Sequence, residues 1–231
     1  MRRIIRKVVE KLGYTIQKVN GDYIYDQIFK EFETFTMIPA KLYVENLRVA
    51  HMVSQHIKGD VVECGVWRGG MSAGLAKLLG NDRKYYLFDS FEGLPQAKEI
   101  DGADAIKWQS DTRSETYFDN CKAEIAFAEA AMNKADVQFS LVKGWFSETL
   151  PHFNSGKEIA LLRLDGDWYE STWDCLKNLY PKVTKKGIII IDDYYTWEGC
   201  SKAVHDYLSS IKSSSRIFTS PGGVCFIVKE D

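Results

Sequence analysis

Three carboxylates close two apolar runs in this 231-residue chain. IALLRLD ends on Asp165, and GIIIIDD ends on Asp192 and Asp193. Ligands of an open parallel α/β sheet gather where its strands end. Two neighbouring strands ending this way would bring together three hard oxygen donors, a set suited to a divalent cation such as Mg²⁺. Without a cation the three would repel one another and hold on to their protons. Asp167, two residues beyond Asp165, stands where a general base could take a proton from a hydroxyl. The same residue would also suit the N-cap of a helix starting near Tyr169.

A second constellation lies upstream. Glu63-x-Gly65-x-x-x-Gly69-Gly70-x-Ser72 follows an apolar run and opens a helical pattern. Glycines here permit positive φ and close backbone approach. Trp67 and Arg68 break the dinucleotide fingerprint, and no Gly-Lys-Ser/Thr follows to make a P-loop. The turn therefore suits a ligand without a pyrophosphate, such as S-adenosylmethionine, or is purely structural. The next apolar run ends in Asp89 and Ser90, with Asp89 24 positions after Gly65. A carboxylate at that distance is placed to accept hydrogen bonds from ribose hydroxyls. After a third run, Gly144 admits close backbone approach, and Trp145 and Phe146 either flank an adenine ring or pack in the core.

These residues need a scaffold. From Asp60 onward, strand patterns (60–65, 84–89, 137–142, 159–165, 187–192) alternate with helical ones (70–80, 115–134, 170–180, 198–212). The alternation predicts a doubly wound parallel α/β sheet. Two further strands near 215–219 and 223–229 flank Pro221-Gly-Gly and predict an antiparallel edge. Residues 1–57 read as an N-terminal helical extension, and 58–231 as the main domain. The polar connection 92–114 follows the second strand. It reads either as a lid over the ligand edge or as a passive surface insertion.

Composition narrows the function classes. The net charge of −2 gives no global case for nucleic-acid binding. Five scattered cysteines form no C-x-x-C pair or zinc spacing and suit a reducing, cytoplasmic setting. His51, His56, His152 and His205 share no metal spacing. No apolar stretch is long enough to span a membrane. Residues 1–19 carry six basic side chains and one acidic, net +5, leaving −7 for the remainder. With Ile4, Ile5, Val8, Val9 and Leu12 on one helical face, this segment either packs on the domain or lies on an anionic membrane surface. A homodimer is the default assembly.

Five ordered blocks together resemble the macrocin O-methyltransferase family. They are VVECGVWRGGMS (61–72), LFDSFEGLP (87–95), GWFSETLP (144–151), LRLDGDWYEST (162–172) and IIIDDYYTWEGCSKAV (189–204). The resemblance implies a class I methyltransferase fold, Rossmann-like, with a mostly parallel seven-stranded sheet. It implies Mg²⁺- and S-adenosylmethionine-dependent methylation of a sugar hydroxyl on a glycan or glycoside. By motif position, Asp165, Asp192 and Asp193 match the metal ligands and Asp167 the base. Glu63, Gly65 and Asp89 match cofactor contacts. Val66, Gly69, Ser72, Ser90, Gly144, Trp145, Phe146 and Asp165 complete the expected cofactor pocket. Two other readings stay open: a metal-dependent glycosyltransferase using Asp165-Gly166-Asp167 as a D-x-D motif, and a non-catalytic Rossmann-like binding subunit.

Overall fold

The computed structural model describes residues 23–53 and 57–230. The basic segment 1–19 and His56 lie outside the described residues. The chain enters through α1 (Tyr23–Phe32) and α2 (Ala40–His51). α1 buries Ile28 and Phe32, one turn apart. α2 buries Tyr43, Leu47 and Ala50, the i, i+4, i+7 stripe of an amphipathic helix. Both pack on α3 (Gly70–Leu79), where the Tyr43 hydroxyl donates to the Gly70 carbonyl at 2.7 Å. Gly74 is required there, because a Cβ would collide with the Tyr43 hydroxyl oxygen.

Seven strands form one sheet in the order β3-β2-β1-β4-β5-β7-β6. They are β1 (Asp60–Cys64), β2 (Tyr85–Asp89), β3 (Phe139–Lys143), β4 (Ile159–Leu164), β5 (Val183–Ile191), β6 (Arg216–Thr219) and β7 (Cys225–Val228). β3, β2, β1, β4 and β5 run parallel; β7 is antiparallel to both β5 and β6. The intervening helices are α4 (Ala103–Ser110), α5 (Ile125–Ala135), α6 (Tyr169–Leu179) and α7 (Glu198–Ser210). Alternate side chains on a strand face opposite sides. Val61, Leu161, Ile188 and Ile190 therefore join the layer containing α1, α2, α3 and α5, while Val62, Leu162, Ile189 and Ile191 join that of α6 and α7.

Strand order reverses between β1 and β4, the topological switch point where such sheets bind ligands. The glycine turn leaves β1 at this point, and the Asp165–Asp167 loop leaves β4 beside it. The two are locked together by Asp165 N–H donating to the Cys64 carbonyl at 2.8 Å.

Two expectations need correction. The helix predicted over 115–134 begins at Ile125, because Phe118, Asp119, Asn120 and Cys121 all have φ between 48° and 58°. This left-handed turn is held by Leu94. Leu94 N–H donates to the Asn120 carbonyl at 3.0 Å, and Asn120 Nδ2 donates to the Leu94 carbonyl at 2.8 Å. The second correction concerns 92–114, which is not plain loop. It contains a 3₁₀ turn, Glu99–Asp101, followed by α4.

Gly65 has φ +84°, and a Cβ there would fall on the Asp165 carbonyl. Gly65→Ala is therefore expected to cost about 3 kcal/mol or more through strain and displacement of the β4 loop. A thermal melt should show the midpoint lowered by roughly 6–12 °C.

Candidate active site

Arg163 is the centre of the site. It lies on β4, the innermost strand region, and is completely buried. A guanidinium stays charged even there, so it must be surrounded by acceptors. Nη1 donates to Glu63 Oε1 at 2.6 Å and to Asp165 Oδ2 at 2.8 Å. Nε donates to Asn46 Oδ1 of α2 at 3.1 Å. Nη2 lies 2.6 Å from Asp192 Oδ1 as an ion pair, without hydrogen-bond alignment. Strand geometry explains the arrangement. Residues 163 and 165 share a face of β4, and the parallel register sets Glu63 opposite Arg163.

The carboxylates outnumber this cation. Oxygens of Asp165, Asp167 and Asp193 lie within 4.8 Å of one another. Burial raises the pKa of Asp165 well above the usual carboxylate range; Arg163 opposes the shift, and Asp192 and Asp167 add to it. Asp193 is raised the same way, by burial and then by Asp167, Asp165 and Asp192. Burial pushes Asp167 up to about 6 against the hydrogen bond it receives from Trp197. Burial alone would lower the Arg163 pKa, but Asp192, Asp165 and Glu63 more than offset it.

Asp167 is held in an uncommon conformation, with φ +57°. Its N–H donates to Asp193 Oδ2 at 3.0 Å, and its Oδ1 accepts from Trp197 Nε1 at 2.9 Å. Such strain persists only where surrounding bonds enforce it. Asp167 does not cap α6. That helix takes its first N–H bond from the far segment, where Asp101 Oδ1 accepts from Tyr169 N–H at 2.7 Å.

A cavity of about 390 Å³ opens on these groups. Gly65, Val66, Asp89, Ser90, Gly144, Trp145 and Phe146 line it beside the four aspartates, Glu63 and Arg163. Asp89 Oδ2 accepts from Val66 and Trp67 N–H at 2.7 and 2.9 Å, and Oδ1 from Phe91 N–H at 2.6 Å. Burial raises its pKa, and these three donors oppose the shift. Ser90 Oγ donates to the Gly93 carbonyl at 2.9 Å. Ser72 is bonded to Glu63 behind the cavity wall. Gly69 starts α3 at φ +81°, tight against Ala128. Ser72 and Gly69 do not line the cavity; they support it through Glu63 and the start of α3. His205 does not line the cavity and pairs with the Tyr194 hydroxyl at 2.8 Å.

Several site residues escaped the sequence reading. Arg163 sits inside an otherwise apolar run, and that was the available signal: a fully buried strand does not keep a cation without partners. Asn46 and Trp197 gave no such signal, since their partners are 117 and 30 residues away. The cavity mouth also includes Phe35 to Pro39 and Leu42, from the chain before β1.

Comparisons with known proteins agree. A family profile described as Macrocin-O-methyltransferase (TylF) matches residues 31–219. The chain is 36% identical over 190 residues to the demethyldecarbamoylnovobiocin O-methyltransferase of Streptomyces niveus, covering 80% of this chain and 71% of that one. It is 36% identical over 181 residues to the 8-demethyl-8-(2,3-dimethoxy-alpha-L-rhamnosyl)-tetracenomycin-C 4'-O-methyltransferase of Streptomyces olivaceus, covering 74% and 67%. The solved structure of the O-methyltransferase NovP superposes with a TM-score of 0.71 at 30% identity, covering 89% and 88%. That of the calicheamicin methyltransferase CalS11 has a TM-score of 0.60 at 20% identity, covering 95% and 96%, a likeness of fold.

Arg163→Met should be destabilised by about 3–5 kcal/mol at pH 7, because it leaves buried carboxylates without their cation. Arg163 holds down the pKa values of Glu63 and Asp165. Its loss raises them further in the folded state only, so the folded state binds more protons and stability falls as pH rises. Urea unfolding should therefore show the variant regaining stability between pH 7 and pH 5.

Proposed function

The chain belongs to the macrocin O-methyltransferase family of S-adenosylmethionine-dependent O-methyltransferases, and from that premise we propose that it methylates a sugar hydroxyl of a glycoside or glycan with the help of Mg²⁺. The observation that carries the reading is the meeting of the glycine turn, Asp89 and the acidic cluster in one cavity at the β1/β4 switch point. The named relatives, which act on novobiocin and rhamnosyl-tetracenomycin precursors, support a glycoside acceptor.

S-adenosylmethionine supplies the methyl group and the leaving sulfide. The turn from Gly65 to Gly70 and the Gly144 turn offer backbone that a ligand can approach closely. Asp89 has two oxygens and about four lone-pair sites. Three are taken by backbone N–H groups. We assign the remaining one to a ribose hydroxyl. Trp145 and Phe146 supply aromatic faces for the adenine, and Val66, Ser90 and Gly69 shape or support the same pocket. Glu63, in the cavity wall, fixes Arg163, and Ser72 ties Glu63 to the start of α3.

The donor set fits Mg²⁺. All its members are hard oxygens: Glu63, Asp165 and Asp192 contact the single guanidinium, while Asp165, Asp167 and Asp193 bring oxygens within 4.8 Å of one another. Asp165, Asp192 and Asp193 would hold the ion. Arg163 engages Oδ2 of Asp165 and Oδ1 of Asp192 and fixes both carboxylates in place. Bound there, the ion would lower the pKa of an acceptor hydroxyl and neutralise the cluster. Asp167 is the general base: with one oxygen held by Trp197, it presents the other to the acceptor proton. The rest of the catalysis is alignment of the acceptor oxygen with the methyl group. Free thiols throughout support a reducing, cytoplasmic setting. Among the described residues no helix is long and apolar enough to cross a membrane.

The test is thermal stability with S-adenosylhomocysteine or UDP, each with Mg²⁺ or EDTA. At about 100 times Kd, a ligand of the native state adds roughly 2.7 kcal/mol. Protection by S-adenosylhomocysteine alone supports this reading. Protection by UDP with Mg²⁺ alone would replace it with the glycosyltransferase reading. Asp165→Ala and Asp192→Ala should abolish methyl transfer while S-adenosylhomocysteine affinity stays within about threefold. Asp89→Ala should instead weaken that affinity by about tenfold or more, as expected for a hydrogen bond to a charged group; isothermal titration decides both.

A further inference from the structure

We infer that the segment Leu94–Asp111 is a working part of the active site, and that Trp197 is the positioning residue through which its seating orients Asp167. The inference rests on Asp167 being the base. Its own evidence is a cluster of three tryptophans between that segment and the aspartate.

Trp197 donates Nε1–H to Asp167 Oδ1 at 2.9 Å. Its ring is fixed by two others. Trp168 lies 5.2 Å away with the planes at 65°, and Trp108 lies 5.9 Å away at 61°. Trp108 and Trp168 also meet each other, at 6.1 Å and 71°. All three are edge-on contacts of the kind that restrict ring rotation. Trp168 and Trp197 belong to the site, following β4 and β5. Trp108 belongs to α4, in the far segment.

The segment is joined to the same cluster at two more points. Trp168 Nε1 donates to the Pro95 carbonyl at 2.9 Å. Buried Asp101 accepts the Tyr169 N–H and sits against Gly199, where a Cβ would lie 2.6 Å from Asp101 Oδ1. Gln109 makes the segment one body, bonding Ala97 N–H, the Pro95 carbonyl and Asn120 Oδ1. Undocking of this body would therefore remove one ring neighbour of Trp197 and the hydrogen-bond partner of Trp168. Trp197 would keep Trp168 but lose Trp108 from its ring, and the bond that aims the strained Asp167 carboxylate would loosen. Seating of the segment and orientation of the base are one event.

The experiment is hydrogen–deuterium exchange on the full chain, with kinetics on methyl α-L-rhamnopyranoside as acceptor. Trp108→Leu breaks the cluster from the far side, and Gln109→Ala loosens the segment without touching it. In both, exchange should quicken at 94–111 and also at 165–168, with β5 unchanged. Trp197→Phe keeps the ring and drops the donor. It should lower kcat by about 10²-fold, the cost of a misplaced reacting group, with KM and S-adenosylhomocysteine affinity unchanged. Quickened exchange at 94–111 with full protection at 165–168 would overturn the inference, as would wild-type kcat in Trp197→Phe. A wild-type protein that binds no S-adenosylhomocysteine would instead sink the methyltransferase reading, and the exchange result would still decide whether the two segments are coupled.

Discussion

One buried guanidinium holds this molecule's functional half together. Arg163 is fully enclosed, and a charge in that position is tolerated only with its counter-ions close and most of its donors bonded. Its partners come from four places in the chain: Asn46 on α2, Glu63 on β1, Asp165 after β4 and Asp192 after β5. The N-terminal helical pair, the two central strands and the strand-end loops are thereby fixed to one point. Replacing the group by an apolar one would remove an expensive desolvated charge. It would also leave several acids with no reason to converge.

The excess of acid over base at this point is a stored demand. Asp165, Asp167 and Asp193 are crowded and raised in pKa. Folding a chain around such a cluster costs stability, and sites of this kind are kept where a ligand or a reaction uses them. The left-handed backbone at Asp167 belongs to the same account. Its amide is held by Asp193 and its carboxylate by Trp197, so the loop is over-determined on both sides. The far segment completes the enclosure by capping α6 with Asp101 and packing Trp108 on the tryptophans of the site.

Much of this was legible beforehand. The apolar runs marked all seven strands within a few residues, because central strands of a sheet covered on both faces are buried throughout and read as continuous apolar segments. Asp165, Asp167, Asp192, Asp193 and Asp89 were readable as strand-end acids. A loop after a buried strand has little reason to carry paired carboxylates otherwise. The errors were local and have a common origin. Residues 115–121 (ETYFDNC) include just one strong helix former, Glu115, and the hydrogen bonds between Leu94 and Asn120 hold a left-handed turn that Asp119 and Asn120 tolerate. The segment 92–114 is polar enough to read as loop, yet α4 forms there because Trp108 and Ala105 have a surface to pack on.

The sequence by itself determined the fold class, the order of elements and the acids at the strand ends, since these depend on patterns within a single run of residues. Family membership also follows from the order of short blocks. The tertiary structure alone decided which acids meet Arg163, which hydrogen-bond each other, and how Asp167 is aimed. Those facts depend on strand register and on contacts between residues as far apart as Asn46 and Arg163 or Asp101 and Tyr169. A buried charge selects its partners by proximity in space, and one chain read along its length does not contain that distance.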